Sequence, residues 1–148
     1  MSVKTIFFDI NIILDIFLKR EPFYAASARV FSLAETKQFR GCLGALSYPV
    51  LFYLLKKELD RDEAIAILKK VRIVLKAAPL VEKVVDSALS SDISDFEDAM
   101  QYYSALEVKS GYFITRNKKD YPAKLMKILT PDEFLALLRA ESAESNSP

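Results

Sequence analysis

At 148 residues the chain has the usual length of one domain, able to bury roughly two-thirds of its unfolded surface, so a single core is expected. With 51% hydrophobic and 28% charged residues and only 3 glycines, disordered and fibrous classes are excluded, while a net charge of +1 neither demands nor forbids a polyanionic partner. Histidine is absent and Cys42 is the one cysteine, which excludes histidine-based triads, zinc sites and an intrachain disulfide.

Residues 4–8 form a short β-branched and aromatic run that reads as a buried first strand ending at Asp9. Ile12, Ile13, Ile16 and Phe17 then recur at helical spacing, and Pro22 separates this helix from a second over residues 24–38. A second strand is expected over 40–46. A helix over 48–59 carries Pro49 in its first turn, and Asp60-Arg61-Asp62-Glu63 has the capping-box form that opens another helix. A strand over 73–77, a break at Pro79 and a helix over 81–89 follow. Residues 96–109 read as a longer helix stopped by Gly111, 112–115 as a buried strand, 116–122 as a loop and 127–129 as a last strand. Thr130-Pro131-Asp132-Glu133 then combines an N-cap, a first-position proline and a capping-box glutamate.

Strands alternating with helices predict an α/β fold with a mostly parallel central sheet of four to five short strands flanked by helices. One domain over residues 1–140 is expected, with a disordered tail over 141–148. The first eight residues lack a basic leader and no apolar run reaches membrane-spanning length, so neither secretion nor insertion is expected, and the single cysteine fits a cytoplasmic setting.

Open parallel sheets place their functional crevice at the carboxyl ends of the strands. Asp9 and Asn11 stand at the exit of the first strand, Asp95, Glu97 and Asp98 at the entrance of the long helix, and Thr115, Asn117 and Asp120 at the exit of the strand over 112–115. Carboxylates gathered there repel one another unless protons or a cation intervene, and oxygen donors select Mg²⁺ or Mn²⁺. Such an ion supports phosphodiester hydrolysis without histidine. Basic groups cluster at Lys56 and Lys57, at Lys69, Lys70 and Arg72, and at Arg116, Lys118 and Lys119; the last trio, beside the acids, would contact phosphate. Asp95 is equally suited to capping its helix, Glu97 reads as a surface charge or cap partner, and Asp15 as a surface residue.

Phe7-Phe8-Asp9-Ile10-Asn11 followed by Ile12-Ile13-Leu14-Asp15 resembles the opening of PIN domains, Asp95-Phe96-Glu97-Asp98-Ala99-Met100 their central acidic helix, and Ile114-Thr115-Arg116-Asn117-Lys118-Lys119-Asp120-Tyr121 their closing motif. Leu129-Thr130-Pro131-Asp132-Glu133-Phe134-Leu135 fits the ending of a bacterial branch, the toxin-type, VapC-like ribonucleases. The resemblance spans nearly the whole chain. It implies a PIN-like three-layer fold and a metal-dependent ribonuclease, often the toxin of a toxin–antitoxin pair and frequently a homodimer. Asp9, Asp98 and Asp120 are then the metal-side carboxylates, with Asp95 a further candidate and Asn11, Thr115 and Asn117 supporting catalysis. The family's usual hydroxyl between Asp9 and Asn11 is replaced by Ile10, and its usual glutamate after the second strand by Val50. Those departures motivate a competing reading as a PIN fold that binds RNA or an antitoxin with little or no cleavage. A haloacid-dehalogenase-like phosphatase is disfavoured because Asn11 replaces its second acid. A receiver domain is disfavoured because the stretch over 73–77 ends in alanines before Pro79 where the phosphoacceptor would stand.

Overall fold

The computed structural model describes residues 3–145. Five strands, β1 (Thr5–Phe8), β2 (Arg40–Gly44), β3 (Lys76–Ala78), β4 (Tyr112–Ile114) and β5 (Lys127–Leu129), pair in the order β3-β2-β1-β4-β5, every pairing parallel. Parallel neighbours need crossovers: α1 (Ile10–Phe17) and α2 (Tyr24–Glu35) join β1 to β2, α3 (Ser47–Leu55) and α4 (Arg61–Val74) join β2 to β3, and α5 (Glu82–Leu89) and α6 (Phe96–Glu107) join β3 to β4, while a loop with one 3-10 turn joins β4 to β5 and α7 (Pro131–Ser145) follows β5.

Successive strand residues face opposite sides of the sheet, so each short apolar strand feeds two cores. Ile6 and Phe8 of β1 pack with Leu43, Tyr112 and Ile114 under α1, α2, α3, α4 and α7. Phe7 turns the other way, stacking on Phe113 at 5.5 Å and joining Cys42, Ala78, Tyr102, Ala105 and Ile128 beneath α6. Alpha-helices 5 and 6 close that layer through Val84, Ala88, Ala99 and Met100. The architecture is thus three-layered. β1 lies at the centre, and its last residue hands directly to Asp9 in the middle of one sheet edge.

The helix expected over 24–38 ends at Glu35, the strand over 40–46 at Gly44 and the helix over 48–59 at Leu55, and three further boundaries differ for reasons the packing shows. Ile73 and Val74 are not strand: α4 runs on through them, with Leu75 N–H donating to Val71 O at 2.7 Å, and β3 begins only at Lys76. The β-branched pair suggested a strand, but Val71 is buried at helical spacing and leaves Ile73 outward at 85% exposure. The helix expected over 96–109 ends at Glu107, and the left-handed residue that turns the chain away is Lys109 rather than Gly111. Lys109 has φ 57, and the same left-handed turn is taken by Lys19 and Lys37 after α1 and α2, a place where glycine is more usual. Finally, α7 remains helical to Ser145, past the expected end of order at residue 140; Ala and Glu give this exposed turn enough intrinsic propensity. Residues 146–148 of the expected tail lie outside the described residues, as do Met1 and Ser2.

Gly41 has a packing reason. A Cβ there would stand 2.4 Å from Leu75 Cδ2 and 2.8 Å from Ala34 Cβ, because β2 passes directly between α2 and the end of α4. Gly41→Ala should lower stability by about 1–3 kcal/mol, the range for overpacking a filled core, read from urea unfolding midpoints at constant slope.

Candidate metal centre

Asp9 follows the buried strand Thr5–Phe8 and serves as N-cap of α1, its backbone N–H donating to Ile114 O at 3.0 Å. Its side chain is 5% exposed. Thr115 Oγ1 donates to Asp9 Oδ2 at 2.7 Å and Asn11 N–H to Oδ1 at 3.5 Å. Thr115 is itself fully buried and accepts from Asn117 N–H at 3.1 Å, so the loop after β4 is tied to Asp9 through one hydroxyl. Burial pushes the Asp9 carboxyl up against these donors and the Arg116 charge, which favour its ionised form.

Asp98 enters from α6, half-buried in the first turn. Asp95 caps that helix, Oδ1 accepting from Asp98 N–H at 2.9 Å, so the capping role is realised. The Asp98 carboxyl is pushed up to about 6, by burial first and then by Asp95, with Asp9 and Asp120 adding to the repulsion. Tyr121, 7% exposed and packed on Phe113, hydrogen-bonds Asp98 and opposes the shift. Glu97 is exposed, and its carboxyl is raised by partial burial and by Asp95 and Asp9. Asp120 lies on an exposed single turn of 3-10 helix, Lys118–Asp120, its N–H donating to Asn117 O at 3.1 Å. A cleft of about 480 Å³ opens beside it between Lys119, Asp120 and Tyr121 on one wall and Ser91, Ser94 and Tyr103 on the other.

The acids therefore share one sheet edge and feel one another. They do not close a cage: among the described residues no three acidic or thiol side chains are spaced to enclose a metal ion. That geometry fits a hydrated hard cation, since Mg²⁺ keeps several waters and takes one or two carboxylates. The oxygen-only donors and the mutual repulsion around Asp98 fit it as well.

Metal-free protein should show the cost of this repulsion. A carboxyl raised in the folded state contributes stability that is complete below its unfolded value, near 4, and lost as pH rises through its folded value, about 6 for Asp98. With chelator present, the contribution of Asp98 to the melting temperature should fall between about pH 4 and 6, Asp9 acting in the same direction, and saturating Mn²⁺ should flatten the fall. Scanning calorimetry across that range checks it.

The basic trio is placed unequally. Arg116 Nε lies 2.7 Å from Asp15 Oδ2, off the in-line direction of a hydrogen bond, while Nη2 donates to Oδ1 at 3.1 Å and the guanidinium sits 4.0 Å over the Phe23 ring. Asp15, expected at the surface, is fully buried. Lys118 pairs with Glu133 at 2.7 Å. Lys119 has no ion pair among the described residues and lines the cleft. Asp15 and Tyr121 are thus the residues that sequence reasoning left out. An acid alone in the otherwise apolar stretch 12–17 of α1 was a signal for the first.

The PIN-domain family model matches residues 5–119. The chain belongs to the PIN-domain family. Use of a divalent metal is general among the ribonucleases of this family. Ribonuclease VapC1 of Aquifex aeolicus (strain VF5) is 26% identical over 140 residues, covering 90% of this chain and 95% of that protein. The PIN fold also aligns with the crystal structure of DNA-bound VapBC from Salmonella typhimurium at TM-score 0.64 and 16% identity, over 88% of this chain and 99% of that one. FitAcB of Neisseria gonorrhoeae aligns at TM-score 0.63 and 14% identity, over 85% and 97%. Among the described residues no helix is long and apolar enough to cross a membrane.

Proposed function

We propose that this PIN domain is a metal-dependent endoribonuclease, the cytoplasmic toxin of a toxin–antitoxin pair, hydrolysing RNA phosphodiesters with Mg²⁺ or Mn²⁺ at Asp9 and Asp98. The observation that carries the reading is Asp9, an acid 5% exposed at the central strand end and crowded by Asp98 and its neighbours. Its supports are the family and the 26% identity to Ribonuclease VapC1.

When bound, the ion supplies charge neutralisation and a water of lowered pKa. Asp9 and Asp98 would hold it, with Thr115 fixing the Asp9 rotamer and Tyr121 steadying Asp98. Water oxygen attacks phosphorus as the bond to the leaving ribose oxygen breaks; Asp120, exposed beside the cleft, would take the proton of the attacking water, and the departing ribose oxygen would take a proton from solvent. Lys119 meets the backbone phosphate; Asn11 and Asn117 flank Asp9 and Thr115 and line the approach. Arg116 and Lys118 serve this surface through the loop they anchor. Asp95 acts as a cap that adds negative field. By the same resemblance the partners are an antitoxin and a second copy of the chain.

The open spacing of the acids, with Ile10 and Val50 at positions where the family usually has a hydroxyl and a carboxylate, favours one competing reading, an RNA- or antitoxin-binding PIN fold with little cleavage. Incubation of purified protein with single-stranded RNA separates the two. Cleavage that needs Mn²⁺ or Mg²⁺ and stops with EDTA is expected. RNA binding without cleavage would favour the binding module, and absence of both cleavage and Mn²⁺ heat in calorimetry would remove the enzymatic reading.

A further inference from the structure

Gln101 lies on α6 one turn beyond Asp98, and therefore on the same helix face. It is 4% exposed. Its Nε2 donates to Ser47 Oγ at 2.7 Å, and Ser47 is fully buried at the start of α3. The amide oxygen Oε1 has no partner. That oxygen is directed at Gly44, where a Cβ would stand 3.9 Å from Oε1 and 3.7 Å from Ser47 Oγ. Gly44 ends β2, and the register that sets Phe7 beside Cys42, continued by two residues, sets Gly44 beside Asp9.

A buried acceptor without a donor is uncommon, and each one asks for a water, an ion or a functional reason. Here the orphaned oxygen belongs to the helix turn that follows Asp98 and stands near Gly44, the residue that the sheet register sets beside Asp9. A side chain at Gly44 would stand against this oxygen, and glycine leaves that space unfilled. A neutral amide also suits the place: it offers an oxygen without adding charge to acids that already repel one another.

We propose that Gln101, held by Ser47, accepts a hydrogen bond through Oε1 from water in the shell of the divalent cation, making it a positioning residue of the metal centre. The inference rests on the metal-dependent reading above. The amide fixes a water that a hard cation keeps, and so orders the ion relative to Asp9 and Asp98.

The test is Mn²⁺ titration of the full chain by calorimetry, with metal-free and metal-loaded melting curves. Gln101→Leu should weaken Mn²⁺ binding by roughly tenfold or more, the usual cost of removing an outer-shell partner. Gln101→Glu should tighten it, lower the metal-free melting temperature by adding a further negative group, and enlarge the rise on adding Mn²⁺. If the leucine variant fails to fold, the glutamate variant decides alone. Unchanged Mn²⁺ affinity in both variants, with wild type binding and Asp9→Asn not, would overturn the role of Gln101 and leave the metal centre standing. Weakening by Gln101→Glu would overturn it too, since the group facing the crevice would then be the amide N–H₂. No Mn²⁺ binding by wild type would end both readings.

Discussion

Asp9→Asn should abolish Mn²⁺-dependent RNA cleavage while leaving the metal-free fold intact. A bound cation contributes several kcal/mol to the transition state, so loss of its central carboxylate should cost roughly 10²–10³-fold in kcat. The same change does little to the fold for an electrostatic reason. Asp9 is 5% exposed and its carboxyl is raised by burial, so the native state already bears an unfavourable charge that the amide removes. Against this, the amide can keep only one of the two acceptor contacts, to Thr115 or to Asn11. The opposing effects should hold the change in metal-free stability within about 1 kcal/mol. Urea unfolding with EDTA, set beside single-turnover cleavage with Mn²⁺, checks both halves. A large loss of stability would mean that Asp9 serves chiefly as the cap of α1.

Arg116→Ala should have the opposite profile, a large loss of stability. Asp15 has no exposure and depends on Arg116, since the second cation, Arg20, remains 3.9 Å away. Burial raises the Asp15 carboxyl, and Arg116 is the strongest force pulling it down. Removing one partner of a buried pair costs about 3–5 kcal/mol, and the low end applies because the Arg116 side chain keeps 27% exposure. At about 2–4 °C per kcal/mol the melting temperature should fall by roughly 10 °C. The deficit should shrink on acidification, as Asp15 becomes protonated. Arg116→Lys should recover only part, for lack of the two-pronged donor and the stacking on Phe23. Asp15→Leu with Arg116→Met should recover most of it, because replacing both charges removes the buried orphan. Lys119→Ala should leave the melting temperature alone and weaken RNA binding. If Arg116→Ala instead melts like wild type and loses only RNA affinity, its role is phosphate contact.

Much of this was legible in the residues. The apolar runs at β1 and β5 and the capping boxes at Asp60 and Thr130 signal their roles locally, and the structure places them accordingly; the acids just past strand ends stand at one sheet edge. What stayed hidden depends on contacts between distant positions. Asp15 is buried because Arg116, 101 positions later, reaches it. Gln101 reads as an ordinary polar helix residue until Ser47, 54 positions away, takes its N–H₂ and leaves Oε1 bare. Tyr121 gains its task only because packing on Phe113 aims its hydroxyl at Asp98. The β3 boundary was missed for another reason, a contest between two local tendencies in Ile73 and Val74 that the length of α4 decided.

The most direct measurement is anomalous diffraction from a crystal soaked in Mn²⁺. A single strong peak should lie at the carboxyl ends of β1 and β4, within coordinating distance of an Asp9 or Asp98 oxygen and vanishing in Asp9→Asn. Absence of any peak there at saturating Mn²⁺ would contradict the account.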